Sequence, residues 1–290
     1  MEEAESRSYG TIMINFLDLE PAYAQHFKQV HGGKFWSIGP TPLFCRKSIR
    51  STATNNSING DQKDVFSWLD SQKPNSVLYV CFGGMVRFSA EQLREIAMAL
   101  EGSGKPFLWV CRAPENISES GEEWLPEGFE ERNRKQRRGF LIKGWAPQVQ
   151  ILDHPSVAGF MTHCGCNSLM EAMTAGVALI TWPLFSEQFY NEKLIVDVLK
   201  CGIAAGSECW NEGFNITSPT VRRHKIQNAV CRLMSDSVEA EEIRRRANEL
   251  KRMANRAVEQ GGSSHSDLMD LISDLKIQTL GHGKHHAPLT

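Results

Sequence analysis

The sequence predicts an open α/β fold, a parallel β-sheet covered by helices on both faces. Three observations carry this expectation. Short apolar runs of strand length recur from residue 77 onward, segments of helical periodicity separate them, and Gly, Pro and Asn bound both. Strands covered on both faces read as continuous apolar runs, and their alternation with helices is the pattern of a parallel sheet.

In chain order, residues 1 to about 40 form an odd beginning. Thr11 to Leu19 reads as one strand entering a turn, and Pro21 to Lys28 as a short helix. Residues 45–63 have the polar, turn-rich composition of a linker. Val77 to Phe82, between Pro74-Asn75 and Gly83-Gly84, is a buried strand. Ser89 caps a helix in which Leu93, Ile96, Ala97 and Leu100 share one face. Pro106 to Cys111, Gly139 to Lys143, Val157 to Thr162 and Val177 to Thr181 are further strands. Asn167 to Ala175 is a compact helix closed by Gly176, and Glu187 to Leu199 a helix closed by Gly202. Helices follow near Ser218 to Met234, Glu239 to Glu259 and Ser266 to Leu275. The tail from Gly281 is expected to fray.

Composition excludes several classes. With 290 residues, 41% of them hydrophobic and 23% charged, the chain suits one large or two modest domains at roughly 150 residues each. It is neither collagen, coiled coil, disordered chain nor disulfide-stapled miniature. Thirty-two basic against 34 acidic residues give a net charge of −2, which offers nothing to a nucleic acid. No apolar stretch reaches the ~18 residues of a membrane span, and the acidic N-terminus lacks the layout of a secretory signal. The eight cysteines then read as reduced thiols of a cytoplasmic protein. The glycosylation-like triplets at Asn55, Asn116 and Asn215 read as chance matches.

Parallel sheets bind ligands at the carboxyl ends of their strands. Attention therefore falls on loops 83–88, 144–148, 163–168 and 182–188. His163-Cys164-Gly165-Cys166-Asn167-Ser168 follows a strand and opens a helix, where free N–H groups and the helix dipole favour an anion. Glu171, on the same helix face as Ser168, repels phosphate but accepts from two sugar hydroxyls, which suggests a ribose. Trp145 offers a face for a base. Glu187 and Gln188 suit the vicinal hydroxyls of a hexose. Each residue also has a plain structural reading: Trp145 as a core aromatic, His163 as a satisfied buried histidine, Glu171 as a solvated helix residue, Glu187 and Gln188 as a helix start. A zinc site at His163, Cys164 and Cys166 lacks a second ligand pair. Neither a Gly-x-Gly-x-x-Gly turn nor a phosphate-loop Gly-Lys-Ser/Thr is present.

Together these residues resemble a known signature. The landmarks are Trp145-Ala146-Pro147-Gln148, Ile151-Leu152, His154-Pro155, Gly159-Phe160, His163-Cys164-Gly165, Asn167-Ser168, Glu171, Gly176, Trp182-Pro183 and Glu187-Gln188. In order and spacing, segment 145–188 resembles the signature box of plant secondary-product UDP-glycosyltransferases. Trp68-Leu69-Asp70, Ser76-Val77-Leu78-Tyr79-Val80, Phe82-Gly83 and Gln188-Phe189-Tyr190-Asn191 extend the likeness, as do Asn15-Phe16, Leu19-Glu20 and Ile38-Gly39-Pro40.

The resemblance implies a GT-B architecture of two Rossmann-like domains, the second binding UDP-sugar. It implies a remnant of an N-terminal acceptor domain at 1–44, a linker at 45–63 and a UDP-sugar-binding domain at 64–262. A helix returning toward the first domain would follow at 263–277, then a flexible tail at 278–290. Carried over, Trp145 would stack on uracil while the Ala146 backbone reads its edge. Gln148 and Glu171 would hold the ribose. His163, Asn167 and Ser168 would bind the diphosphate, with a backbone contact at Cys166. Glu187 and Gln188 would hold the sugar, and Gln188 favours glucose. The implied activity is inverting transfer of glucose from UDP-glucose to a hydroxyl of a small lipophilic acceptor such as a flavonoid or terpenoid. A monomer with neither metal nor organic cofactor would perform it.

Four departures from the family pattern stand out. Cys166 replaces a Trp, Gly84 a Ser and Ala178 a Pro. Losing one hydrogen bond to a charged group costs on the order of 1.5–3 kcal/mol. The family's catalytic base is an early His oriented by an Asp, but His26 and His31 lie in no matching motif. No base is therefore assigned, and the chain looks truncated at its N-terminus. The alternatives are a UDP-binding fragment without a general base, or an aggregation-prone one exposing Leu268, Leu271 and Ile272.

Overall fold

The computed structural model describes residues 7–31, 34–44, 60–112 and 124–282. They fall into two compact units, one drawn from the ranges 1–51 and 250–290, the other from 52–249. Residues 45–59 of the expected linker, Cys45, Asn55, Asn116 and residues 283–290 of the expected tail lie outside the described residues.

The smaller unit begins with β1 (Gly10–Met13), a 3₁₀ turn at Leu17–Leu19, α1 (Pro21–His31) and β2 (Lys34–Ser37). β1 and β2 pair in parallel. The expected strand over 11–19 stops at Met13. Beyond it the chain turns so that Phe16 and Leu19 are buried, and a strand would place these two on opposite faces. The helix α10 (Ser263–His282) belongs to this unit and packs on β2. Asp267 accepts from the Ser37 N–H at 2.7 Å, and Asp274 receives the Lys34 ammonium at 2.6 Å. Leu271 is buried and Ile272 exposed. The helix continues past the expected end at 277. Thr279 ties its hydroxyl back to the Leu275 and Lys276 carbonyls, and Gly281 does not stop it.

The larger unit opens with α2 (Gly60–Asp70), which starts inside the segment read as linker. Its Val65 and Leu69, one turn apart, are buried, and this apolar face outweighs the polar composition before it. There follow β3 (Val77–Cys81), α3 (Ala90–Ser103), β4 (Phe107–Val110), α4 (Phe129–Lys135), β5 (Gly139–Ile142), α5 (Gln148–Leu152), β6 (Val157–Thr162), α6 (Cys166–Ala175), β7 (Ala178–Thr181), α7 (Gln188–Lys193), β8 (Gly202–Ala204), α8 (Arg223–Leu233) and α9 (Val238–Val258), whose residues from Leu250 onward fall in the smaller unit.

The expected caps act as read. The Ser89 hydroxyl accepts from Gln92 N at 3.2 Å, and Gly176 ends α6 in the left-handed region. α7 continues as one π-helical turn at Leu194–Val198. Gly202 does not close that helix but begins β8. A side chain there would approach Ile195 Cγ2 to 2.6 Å and the Leu179 carbonyl to 2.9 Å, so glycine serves strand packing.

The six strands β3 to β8 are all parallel, in the order β5-β4-β3-β6-β7-β8. The core lies along β3, β4, β6 and β7, where Leu78, Tyr79, Leu108, Trp109, Phe160 and Ile180 are fully buried. The chain winds from β3 out to β5, returns beside β3 as β6, then winds the other way. The strand order therefore reverses between β3 and β6, and the loops leaving their carboxyl ends diverge. A crevice at such a reversal is where doubly wound sheets hold ligands.

Candidate donor-nucleotide site

Trp145, Ala146, Gln148, His163, Cys166, Asn167, Ser168, Glu187 and Gln188 lie on loops or helix starts at the carboxyl edge of this sheet, Glu171 lies further along α6, and two clusters form there. In the first, α5 begins at Gln148 and α6 carries Ser168 and Glu171. Gln148 Nε2 donates to Glu171 Oε2 at 2.6 Å and to Ser168 Oγ at 3.2 Å. Gln148 Oε1 accepts from the Tyr79 hydroxyl at 3.2 Å. Burial raises the Glu171 carboxyl above the usual carboxylate range, while the Gln148 N–H opposes the rise. Trp145, three residues before Gln148, is 74% exposed. This excludes the core-aromatic reading and leaves the indole face available. Ala146 supplies the carbonyl that receives Gln148 N at 2.9 Å.

The second cluster surrounds His163. Its ring is wedged between two glycines. A Cβ on Gly83 would come within 3.0 Å of the ring, and one on Gly165 within 2.6 Å of Nε2. Gly83 also has φ +78. Cys164, between His163 and Gly165, is a buried non-glycine residue at φ 65, a conformation that neighbouring structure must hold in place. Asn191 does so, donating Nδ2–H to the Cys164 carbonyl at 2.9 Å. Gly165 is the N-cap of α6 and has no side chain to cap the helix. The first turn, with exposed Cys166 and Asn167, thus carries the positive end of the helix dipole.

Burial pushes the His163 imidazole down to about 4 from its ordinary 6.5, and the Glu187 carboxylate pulls it the other way. His163 is therefore neutral at pH 7 and carries one N–H. The sign of the linked stability change follows. Between pH 6.5 and about 4 the unfolded chain binds a proton that the folded chain refuses. Stability is full above 6.5 and falls as the pH drops through this window, by on the order of 2–3 kcal/mol. His163→Gln should flatten the fall of Tm with acid over that range. Parallel Tm–pH curves for the two proteins would refute the assignment.

Glu187 is exposed, but Gln188 is buried. Gln188 Oε1 accepts from Leu184 N at 2.9 Å and Phe185 N at 3.1 Å. Two backbone donors on one oxygen fix the amide orientation, so only the Gln188 NH₂ can face a sugar. Loop 182–188 is braced further by Asn211, whose Nδ2 donates to the Leu184 carbonyl at 3.0 Å. Among the described residues no three His, Cys, Asp or Glu side chains gather as an ion would require, and no helix is long and apolar enough to cross a membrane. His26 is exposed on α1. Sequence reasoning named Tyr79 and Asn191 only as marks of likeness and gave neither a role in the site. The only signals were a hydroxyl inside an apolar strand and an amide just beyond the signature segment.

Comparison with known proteins completes the picture. The family described as UDP-glucoronosyl and UDP-glucosyl transferase matches residues 34–245. UDP-glucose flavonoid 3-O-glucosyltransferase 7 of Fragaria ananassa is 48% identical over 286 residues, covering 96% of this chain and 57% of its own. Among solved structures, Glycyrrhiza uralensis UGT73P12 with glycyrrhetinic acid 3-O-monoglucuronide has a TM-score of 0.86 at 38% identity, covering 98% of this chain and 56% of that one. Medicago truncatula UGT71G1 with UDP-glucose has a TM-score of 0.78 at 31% identity, covering 94% and 55%. The chain thus spans a little over half the length of the relatives it matches.

Proposed function

Because this chain belongs to the UDP-glucoronosyl and UDP-glucosyl transferase family, we propose that it holds the donor of a glucosyl transfer from UDP-glucose to a small lipophilic hydroxyl acceptor. The observation that carries this reading is the Gln148–Glu171 pair. It joins an amide donor to a carboxylate acceptor, at 2.6 Å, beside an exposed indole and an uncapped helix start. A ribose needs such a pair. Trp145 stacks on uracil while the Ala146 backbone reads the base edge, and Gln148 with Glu171 takes the ribose hydroxyls. Amides at Cys166 and Asn167, with His163 and Ser168, meet the diphosphate. Glu187 and the free NH₂ of Gln188 meet the glucose. The dipole and amides of α6 address the diphosphate charge.

The acceptor class follows the Fragaria relative, whose name gives a flavonoid. The same reading takes 1–44 as part of an acceptor domain, 64–262 as the donor domain and 263–277 as a returning helix. It places the chain in the cytoplasm as a monomer. Cys81, Cys111, Cys164, Cys201, Cys209 and Cys231 are free thiols, which suits a reducing compartment.

The direct test is thermal. UDP should raise Tm, since a ligand at about 100 times its Kd stabilises the native state by about 2.7 kcal/mol. No shift at millimolar UDP would overturn the proposal.

A further inference from the structure

We propose that Tyr79 is a positioning residue for nucleotide selection: its hydroxyl aims the Gln148 carboxamide so that the site distinguishes a ribose from a 2′-deoxyribose. The inference rests on the donor reading above.

Tyr79 lies mid-strand in β3, beside the reversal of strand order. It is fully buried, and its ring stacks on Phe160 with centroids 4.9 Å apart. A buried phenol needs a hydrogen-bond partner. Beside the Cys81 thiol, it finds Gln148 Oε1 at 3.2 Å. That oxygen can only accept, so the phenol donates. At the other end of the same carboxamide, Nε2 donates to Glu171 Oε2 at 2.6 Å and to Ser168 Oγ at 3.2 Å. The phenol and the carboxylate together allow one amide orientation, with the carbonyl toward the strand and the NH₂ toward α6. A flipped amide would set two acceptor oxygens against each other at Glu171.

This matters most when the ligand arrives. Ribose hydroxyls that donate to Glu171 replace its bond to Gln148, and the amide loses the contact that oriented it from that side. Burial also raises the Glu171 carboxyl, and a protonated Glu171 would tolerate either amide orientation. In both circumstances the Tyr79 bond still fixes the carbonyl and leaves the NH₂ directed at the sugar edge. Because Tyr79 is covered by the sheet, it reaches a bound sugar through Gln148 and not directly.

The experiment measures Kd for UDP and 2′-deoxy-UDP by calorimetry, for the parent chain and for Tyr79→Phe. Phenylalanine keeps the ring on Phe160 and removes only the hydroxyl. The parent is expected to prefer UDP by about tenfold or more. In Tyr79→Phe that preference should fall below about threefold, with UDP weakened and 2′-deoxy-UDP changed less than about twofold. An unchanged preference in the folded variant overturns the proposal. So does equal weakening of both ligands, which marks a merely structural role. If Tyr79→Phe does not fold, Gln148→Met interrupts the same chain of bonds from the exposed end, and a preference retained there overturns the proposal equally. Failure of the parent to bind UDP at all is a different result, and it removes the donor reading itself.

Discussion

Glu171→Ala should weaken UDP binding about a hundredfold while leaving the fold intact. The carboxylate sits on α6, bonded to Gln148 at 2.6 Å, and burial raises its pKa. A carboxylate already partly stripped of water forms strong bonds to hydroxyls. Each hydrogen bond to a charged group contributes about 1.5–3 kcal/mol, and a net loss near 3 kcal/mol is about a hundredfold in Kd. Stability should move the other way or hardly at all. Above the raised pKa, the folded chain holds an ionised carboxylate that the unfolded chain hydrates more fully, so removing it relieves a cost present at pH 8 and absent in acid. Calorimetry with UDP and a melting curve at pH 8 check both statements. Equal affinity in parent and variant would show that the ribose does not meet this carboxylate.

Gly165→Ala has the second large effect, and it is steric. The added methyl would lie 2.6 Å from His163 Nε2 and 3.1 Å from Cε1. The imidazole has little room to retreat, because the Gly83 backbone backs its other side, so close that a Cβ built there would lie 3.0 Å from the ring. The backbone cannot yield either. Cys164 is already held at φ 65, and its carbonyl is tied to Asn191 at 2.9 Å. Overpacking of this kind costs about 1–3 kcal/mol. Here it falls on the junction that aims the α6 amides, so UDP affinity should drop more than tenfold. Gly213→Ala is the control, since nothing lies within 4 Å of its Cβ position. It should bind UDP as the parent does. A Gly165→Ala protein with parental affinity would mean that this turn does not shape the ligand site.

Much of this architecture was legible from residue order. The five strands expected between 77 and 181 all exist, because a strand covered on both faces must be apolar along its whole length. The Ser89 and Gly176 helix ends were legible because a cap is a local hydrogen bond or a local left-handed φ. What escaped had non-local causes. β2 and β8 are short and make sense only beside their neighbours. Gly202 reads as a helix stop until the Ile195 side chain is placed against it. Gln188 reads as a sugar ligand through its whole amide until its oxygen is found on the Leu184 and Phe185 amides, which leaves only the NH₂ for that task.

By itself, then, the sequence determined the α/β class, the signature segment 145–188 and the types of chemical group at the site. Apolar periodicity, capping and motif spacing are properties of neighbouring residues. Only the tertiary structure decided the strand order and, with it, which groups meet. It set β6 beside β3, so that a phenol at 79 reaches an amide at 148, which in turn reaches a carboxylate at 171. The reason is physical. A hydrogen bond between distant residues depends on sheet order and register, and these are settled by the packing of the whole core rather than by any one stretch of chain.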